Sequence, residues 1–132
     1  MKIDCKIISI EDGEQGCSVT FYEKLQDDTF EFKKKISVDK IMDSIGTYLS
    51  LNRTYPEDEF EKDYYYIEVS DFDKSGDLKN FTADLYRNKF LMEFNNNLFE
   101  INFDTDNSTF NDLKNMLLKI ANESGRLTIH AN

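Results

Sequence analysis

At 132 residues and 15.5 kDa the chain has room for a single domain, 1–132, which excludes a multidomain machine. Hydrophobic residues make up 39% and aromatic residues 14%, with 11 Phe and 7 Tyr, too rich for a disordered tail. A net charge of −10 repels phosphate backbones and anionic lipid surfaces, so neither nucleic acid nor membrane is expected as a direct partner.

In chain order, residues 2–10 and 17–23 read as strands of a hairpin around Asp12 and Gly13, with Ile10 opposite Gly16. That register sets Cys5 opposite Phe21 and Cys17 opposite Ser9. The offset of about 13 Å is too long for a disulfide, and two free, buried thiols are expected. Thr29 to Ile36 predicts a third strand, with Phe30 and Phe32 on one face. Val38, Ile41, Met42 and Ile45 then recur at helical spacing between Ser37 and Gly46, predicting a short helix at about 38–46. Tyr48 to Thr54 and Tyr64 to Ser70 read as further strands.

A meander follows through Phe81, Ala83 and Leu85, then Phe90, Met92 and Phe94, then Phe99, Ile101 and Phe103, with Asn95, Asn96 and Asn97 as a turn. Phe110, Leu113, Met116, Leu117, Ile120 and Ala121 mark the clearest helix, with Thr109 as its expected cap and Gly125 just beyond its end. A last strand over Arg126 to His130 returns to a sheet edge. The expected class is α+β: a mostly antiparallel sheet, meander-like, covered by one long C-terminal helix and with the short helix at 38–46.

Catalytic signatures are missing from the sequence. The single histidine, His130, sits two positions from the last residue, and no Gly-x-Ser-x-Gly, Walker, Gly-x-Gly-x-x-Gly, Cys-x-x-Cys or His-Glu-x-x-His motif occurs. No enzyme activity and no cofactor are expected. With no hydrophobic signal core at the N-terminus and no apolar run of about 18 residues, a cytoplasmic location is the expectation.

Asp71-Phe72-Asp73-Lys74-Ser75-Gly76-Asp77-Leu78 has the spacing of the first half of an EF-hand loop, which makes Asp71, Asp73 and Ser75 candidate calcium ligands. Thr82 stands where that loop needs a bidentate Glu, and the flanks read as strands. A polar strand-to-strand turn is the competing reading.

A second feature is broader. Between Glu57 and Asp77 nine acids face two bases, so this stretch carries seven of the ten net negative charges. Five of the seven tyrosines lie within or just before it: Tyr48, Tyr55, Tyr64, Tyr65 and Tyr66. Tyrosine favours protein contact and clustered carboxylates steer a basic partner, so the strip reads as a docking face or as a solvated surface, with Pro56 and the acids after it as a helix first turn.

Tyr48-Leu49-Ser50-Leu51-Asn52-Arg53, the acidic loop, Tyr66-Ile67-Glu68 with Asp71, the Gly76 turn, Leu85-Tyr86-Arg87, Ile101-Asn102-Phe103-Asp104 and the helix around Leu113, Leu117 and Ile120 together resemble the immunity protein 10 family of bacterial polymorphic toxin systems. The resemblance covers residues 48–120. It departs at Asn52, where the family has Gln, and at the single Gly76, and Ser37 to Gly46 has no counterpart.

The resemblance implies a non-enzymatic immunity protein that binds a cognate toxin, many such toxins being nucleases. On that reading Glu57, Glu59, Asp63, Tyr64, Asp71, Asp73 and Asp77 are the expected partner contacts, while Arg53, Glu68 and Arg87 form a structural network between strands. Another acidic inhibitor, such as a phage-encoded nucleic-acid mimic, and a calcium or ligand-binding module are the alternatives. The oligomeric state is left open.

Overall fold

The computed structural model of the protein describes residues 1–23 and 46–130. The strand expected over Thr29 to Ile36 lies outside the described residues, as does the helix expected at 38–46 except for Gly46.

The protein is α+β, with two mostly antiparallel five-stranded sheets and a C-terminal helix. The first strand, β1 (Lys2–Asp4), belongs to one sheet and β2 (Ile7–Asp12) to the other, so the expected strand over 2–10 is broken where the chain crosses between sheets. Cys5 N donates to Asn102 O on one side of the crossing, and Lys6 N donates to Tyr22 O on the other.

The second sheet continues with β3 (Gly16–Tyr22), β4 (Tyr48–Thr54), β5 (Tyr64–Val69) and the two-residue β6 (Gly76–Asp77), in the order β2-β3-β4-β5-β6. The first sheet is completed by β7 (Phe81–Tyr86), β8 (Lys89–Phe94), β9 (Asn97–Asn102) and β10 (Gly125–Ile129), in the order β1-β9-β8-β7-β10. Only its two edge strands pair in parallel, β1 with β9 and β10 with β7. The expected meander is β7 to β9, closed by Asn95 and Asn96 with φ of 51° and 64°, the conformation a two-residue hairpin turn needs and asparagine tolerates.

The helix α1 (Asn107–Ser124) lies across β2, β3 and β4 and along β10. Its cap is Asp106, whose carboxylate accepts the Thr109 N–H at 2.7 Å; the expected cap, Thr109, is already inside the first turn. Alternation buries Val19, Phe21, Leu49, Leu51, Ile67 and Val69 on one face of the second sheet, and Phe81, Ala83, Leu85, Phe90, Met92, Phe99 and Ile101 on one face of the first. These faces share one core with Leu113, Leu117 and Ile120 of α1, and Phe21 stacks on Phe90 with centroids 5.6 Å apart.

The hairpin register differs from the expectation by three residues: Ile10 pairs with Val19 and Asp12 with Cys17. Both cysteines are free and buried, as expected. Gly16 is therefore not a turn residue but the first of β3, where a Cβ would lie 2.3 Å from the Arg53 carbonyl oxygen of β4. Only glycine allows that approach.

Candidate functional site

The acidic stretch wraps both ends of β5. Residues 55–63 precede the strand and 70–75 follow it, and a six-residue strand separates them by about 20 Å. The seven candidate contacts are consequently not one cluster: Glu57, Glu59 and Asp63 lie at one end, Asp71 and Asp73 at the other, with Tyr64 and Asp77 on the sheet between them.

At the far end, Asp71 pairs with Lys74 across a single 3-10 turn, Phe72–Lys74, and that contact holds its carboxyl below the usual range. The Ser75 hydroxyl is spent on β5, accepting Val69 N–H at 2.8 Å and donating to Val69 O at 3.3 Å. Strands β5 and β6 flank this segment, and among the described residues no three His, Cys, Asp or Glu side chains converge as metal ligands do. The geometry of 71–78 is that of a strand-to-strand turn, with Asp71 and Ser75 bonded to neighbouring residues and both Asp71 and Asp73 exposed.

At the near end, Pro56 does not open a helix. Asp58 Oδ1 accepts the backbone N–H of Phe60 at 2.9 Å and of Glu61 at 3.1 Å, while Glu57 N donates to Glu61 Oε2 at 3.2 Å. This side-chain-closed turn leaves residues 56–62 exposed throughout. None of Glu57, Asp58, Glu59 and Glu61 is ion-paired among the described residues.

Asp63 behaves differently. It pairs with Arg53 Nε, and Arg53 Nη1 also donates to Lys119 O of α1 at 2.8 Å. Beside them Asp12 accepts from Tyr55 OH and from Lys119 Nζ, each at 2.8 Å, which holds the Asp12 carboxyl below its ordinary range. Lys119 and Arg53 lie over the Tyr55 ring at 5.0 and 5.6 Å, and Arg53 over Tyr65 at 5.5 Å. Asp63, expected to be a partner contact, is half-buried and holds the Arg53 side chain that reaches the helix.

Arg53, Glu68 and Arg87 were expected to share one network and instead act at three places. Glu68 accepts from Tyr48 OH at 3.1 Å; burial first and this carboxylate second push the Tyr48 phenol up to about 12. Arg87 donates to Thr105 O and Asn107 Oδ1 at the start of α1 and lies over Phe110. Tyr64, 49% exposed, donates to Asp77 and stacks with Tyr66. His130 is held on the β7 edge, its N–H donating to Leu85 O, its Nε2 2.9 Å from Asp84 Oδ1 and its ring stacked on Tyr86.

What the sequence alone did not reveal is where the β2–β3 turn sits. Tyr55 N donates to Gln15 O at 2.9 Å, and Gly16 pairs with Thr54, so the turn lies against the acidic loop. Glu14 of this turn and Glu11 at the end of β2, both exposed, line a shallow depression with Ser18, Asn52 and Thr54. The flanking Gly13 and Gly16 were the available signal, misread because the hairpin was set three residues out of register.

Among the described residues no helix is long and apolar enough to cross a membrane. Comparison with protein-family models, with curated proteins and with solved structures found no match to this chain.

Proposed function

We propose that the protein is an immunity protein that binds and neutralises a cognate bacterial toxin domain, acting by occlusion and without chemistry of its own. The observation that carries this reading is the exposed loop Glu57 to Glu61, whose four carboxylates are held on an ordered turn with no ion pair among the described residues. An acidic surface kept unneutralised complements a basic one, and a toxin that grips phosphate, as a nuclease does, presents Lys and Arg where its substrate binds. The resemblance of residues 48–120 to the immunity protein 10 family supports the same reading. The protein acts in the cytoplasm, where such a toxin would meet its substrate.

Co-expression with the toxin domain encoded by the neighbouring reading frame tests it. Growth should be rescued by this chain and the two proteins should co-purify. Continued killing, with both proteins soluble and no complex between them, would overturn the proposal.

A further inference from the structure

The acids of the near end surround an exposed aromatic ring. Phe60 is 87% exposed, the most exposed large hydrophobic side chain among the described residues. Single exposed apolar residues are ordinary on protein surfaces, so exposure alone says nothing. Three further facts separate Phe60 from that background. Its backbone is held, because Asp58 Oδ1 accepts both its own N–H and that of Glu61. It sits between acids on its own turn, and the Tyr55–Gln15 bond sets the β2–β3 turn, which carries Glu14, against the start of this loop. Lys62 is the only base in the run 56–62.

An exposed aromatic ring on a turn of carboxylates defines its complement. We infer that the partner surface is a small apolar pocket rimmed by Lys and Arg, that Phe60 enters the pocket, and that Glu11 at the end of β2 and Glu14 of the β2–β3 turn meet the rim together with Glu57 and Glu59. This deepens the immunity reading and rests on it. Charge complementarity assigns the rim, since this end of the sheet offers six carboxylates (Glu11, Glu14, Glu57, Asp58, Glu59 and Glu61) outside any ion pair among the described residues. The ring assigns the centre, because buried aromatic anchors dominate binding energy while rim charges govern encounter. The far end of β5 lies about 20 Å from this loop, and there Asp71 pairs with Lys74.

The test uses the full chain and the purified, catalytically inactivated toxin domain from the neighbouring reading frame, by stopped-flow and surface-plasmon kinetics across a salt series. Phe60→Ala should raise Kd by about tenfold or more, chiefly through faster dissociation, with the salt dependence of association kept. Glu11→Gln with Glu14→Gln should slow association several-fold at low salt and flatten its salt dependence. Phe72→Ala, an exposed Phe at the far end of β5, should leave both rates within twofold. Each position is exposed, so circular dichroism and urea midpoints should match the parent. A complex whose rates ignore Phe60 and the Glu11/Glu14 pair would overturn this inference and leave the immunity reading standing. No complex with the parent chain would overturn both.

Discussion

A methyl group at residue 125 would lie 2.4 Å from the Phe81 ring and 2.5 Å from the Phe81 carbonyl oxygen. The glycine is there for packing and not for a left-handed cap, since its φ of −178° is open to any residue. Gly125→Ala should therefore destabilise the fold by about 1–3 kcal/mol, the usual effect of overpacking, read as a lower urea midpoint at unchanged slope. An unchanged midpoint would mean β10 and Phe81 can separate freely. Cys5 gives a pH prediction of definite sign. Burial pushes its thiol up to about 11, so between pH 9 and 11 the unfolded chain releases a proton that the native state retains. Stability should fall as pH rises through that window. Cys5→Val should flatten the decline between pH 8 and 10.5 without abolishing it, because Tyr48, pushed up to about 12, acts in the same direction.

Between elements, the second sheet is tied to α1 by Arg53, Asp63, Asp12, Tyr55 and Lys119. Arg53→Ala leaves Asp63 without its cation and removes the side-chain donor from the Lys119 carbonyl. A loss of about 1–3 kcal/mol is expected for such a partly exposed pair, measurable in a double-mutant cycle with Asp63→Asn. Coupling near zero would show that the contact is incidental. The Asp12 carboxyl is held below its ordinary value by Lys119 first and Tyr55 second, so its contribution is present at neutral pH and is lost as pH falls through the carboxylate range. Lys119→Met should remove that part of the acid response. None of these ties was legible in the sequence, since they join residues 10 to 107 positions apart that no local pattern connects. The strands were legible because alternation is local: β4, β5 and the three strands of the meander fall where Leu49, Ile67, Phe81, Phe90 and Phe99 place them. The division into two sheets was not, because the switch at Cys5 and Lys6 depends on which partner each half of the segment finds.

Across the whole molecule, carboxylates divide into those the fold consumes and those it holds out to solvent. Asp12, Asp63 and Asp106 bond within the protein, whereas Glu11, Glu14, Glu57 and Glu59 gather at one end of the second sheet, exposed and outside any ion pair among the described residues. Half of that grouping could be read from the sequence, as a contiguous acidic run; Glu11 and Glu14 could not, because only the pairing of Gly16 with Thr54 brings their turn to the loop. Like charges crowded together repel and oppose the compact state, so a patch with no binding role should be improved by neutralisation and lose nothing. The opposite balance is expected here. Glu57→Gln with Glu59→Gln, which spares Asp58 and Glu61 because they close the turn, should leave stability the same or raise it by about 0.5 kcal/mol at low ionic strength. If the proposed immunity role holds, the same pair should slow association with a basic toxin domain several-fold, and added salt should erase both differences together as it screens the field. A gain in stability with no change in association would assign the patch to solvent and remove the electrostatic basis of recognition.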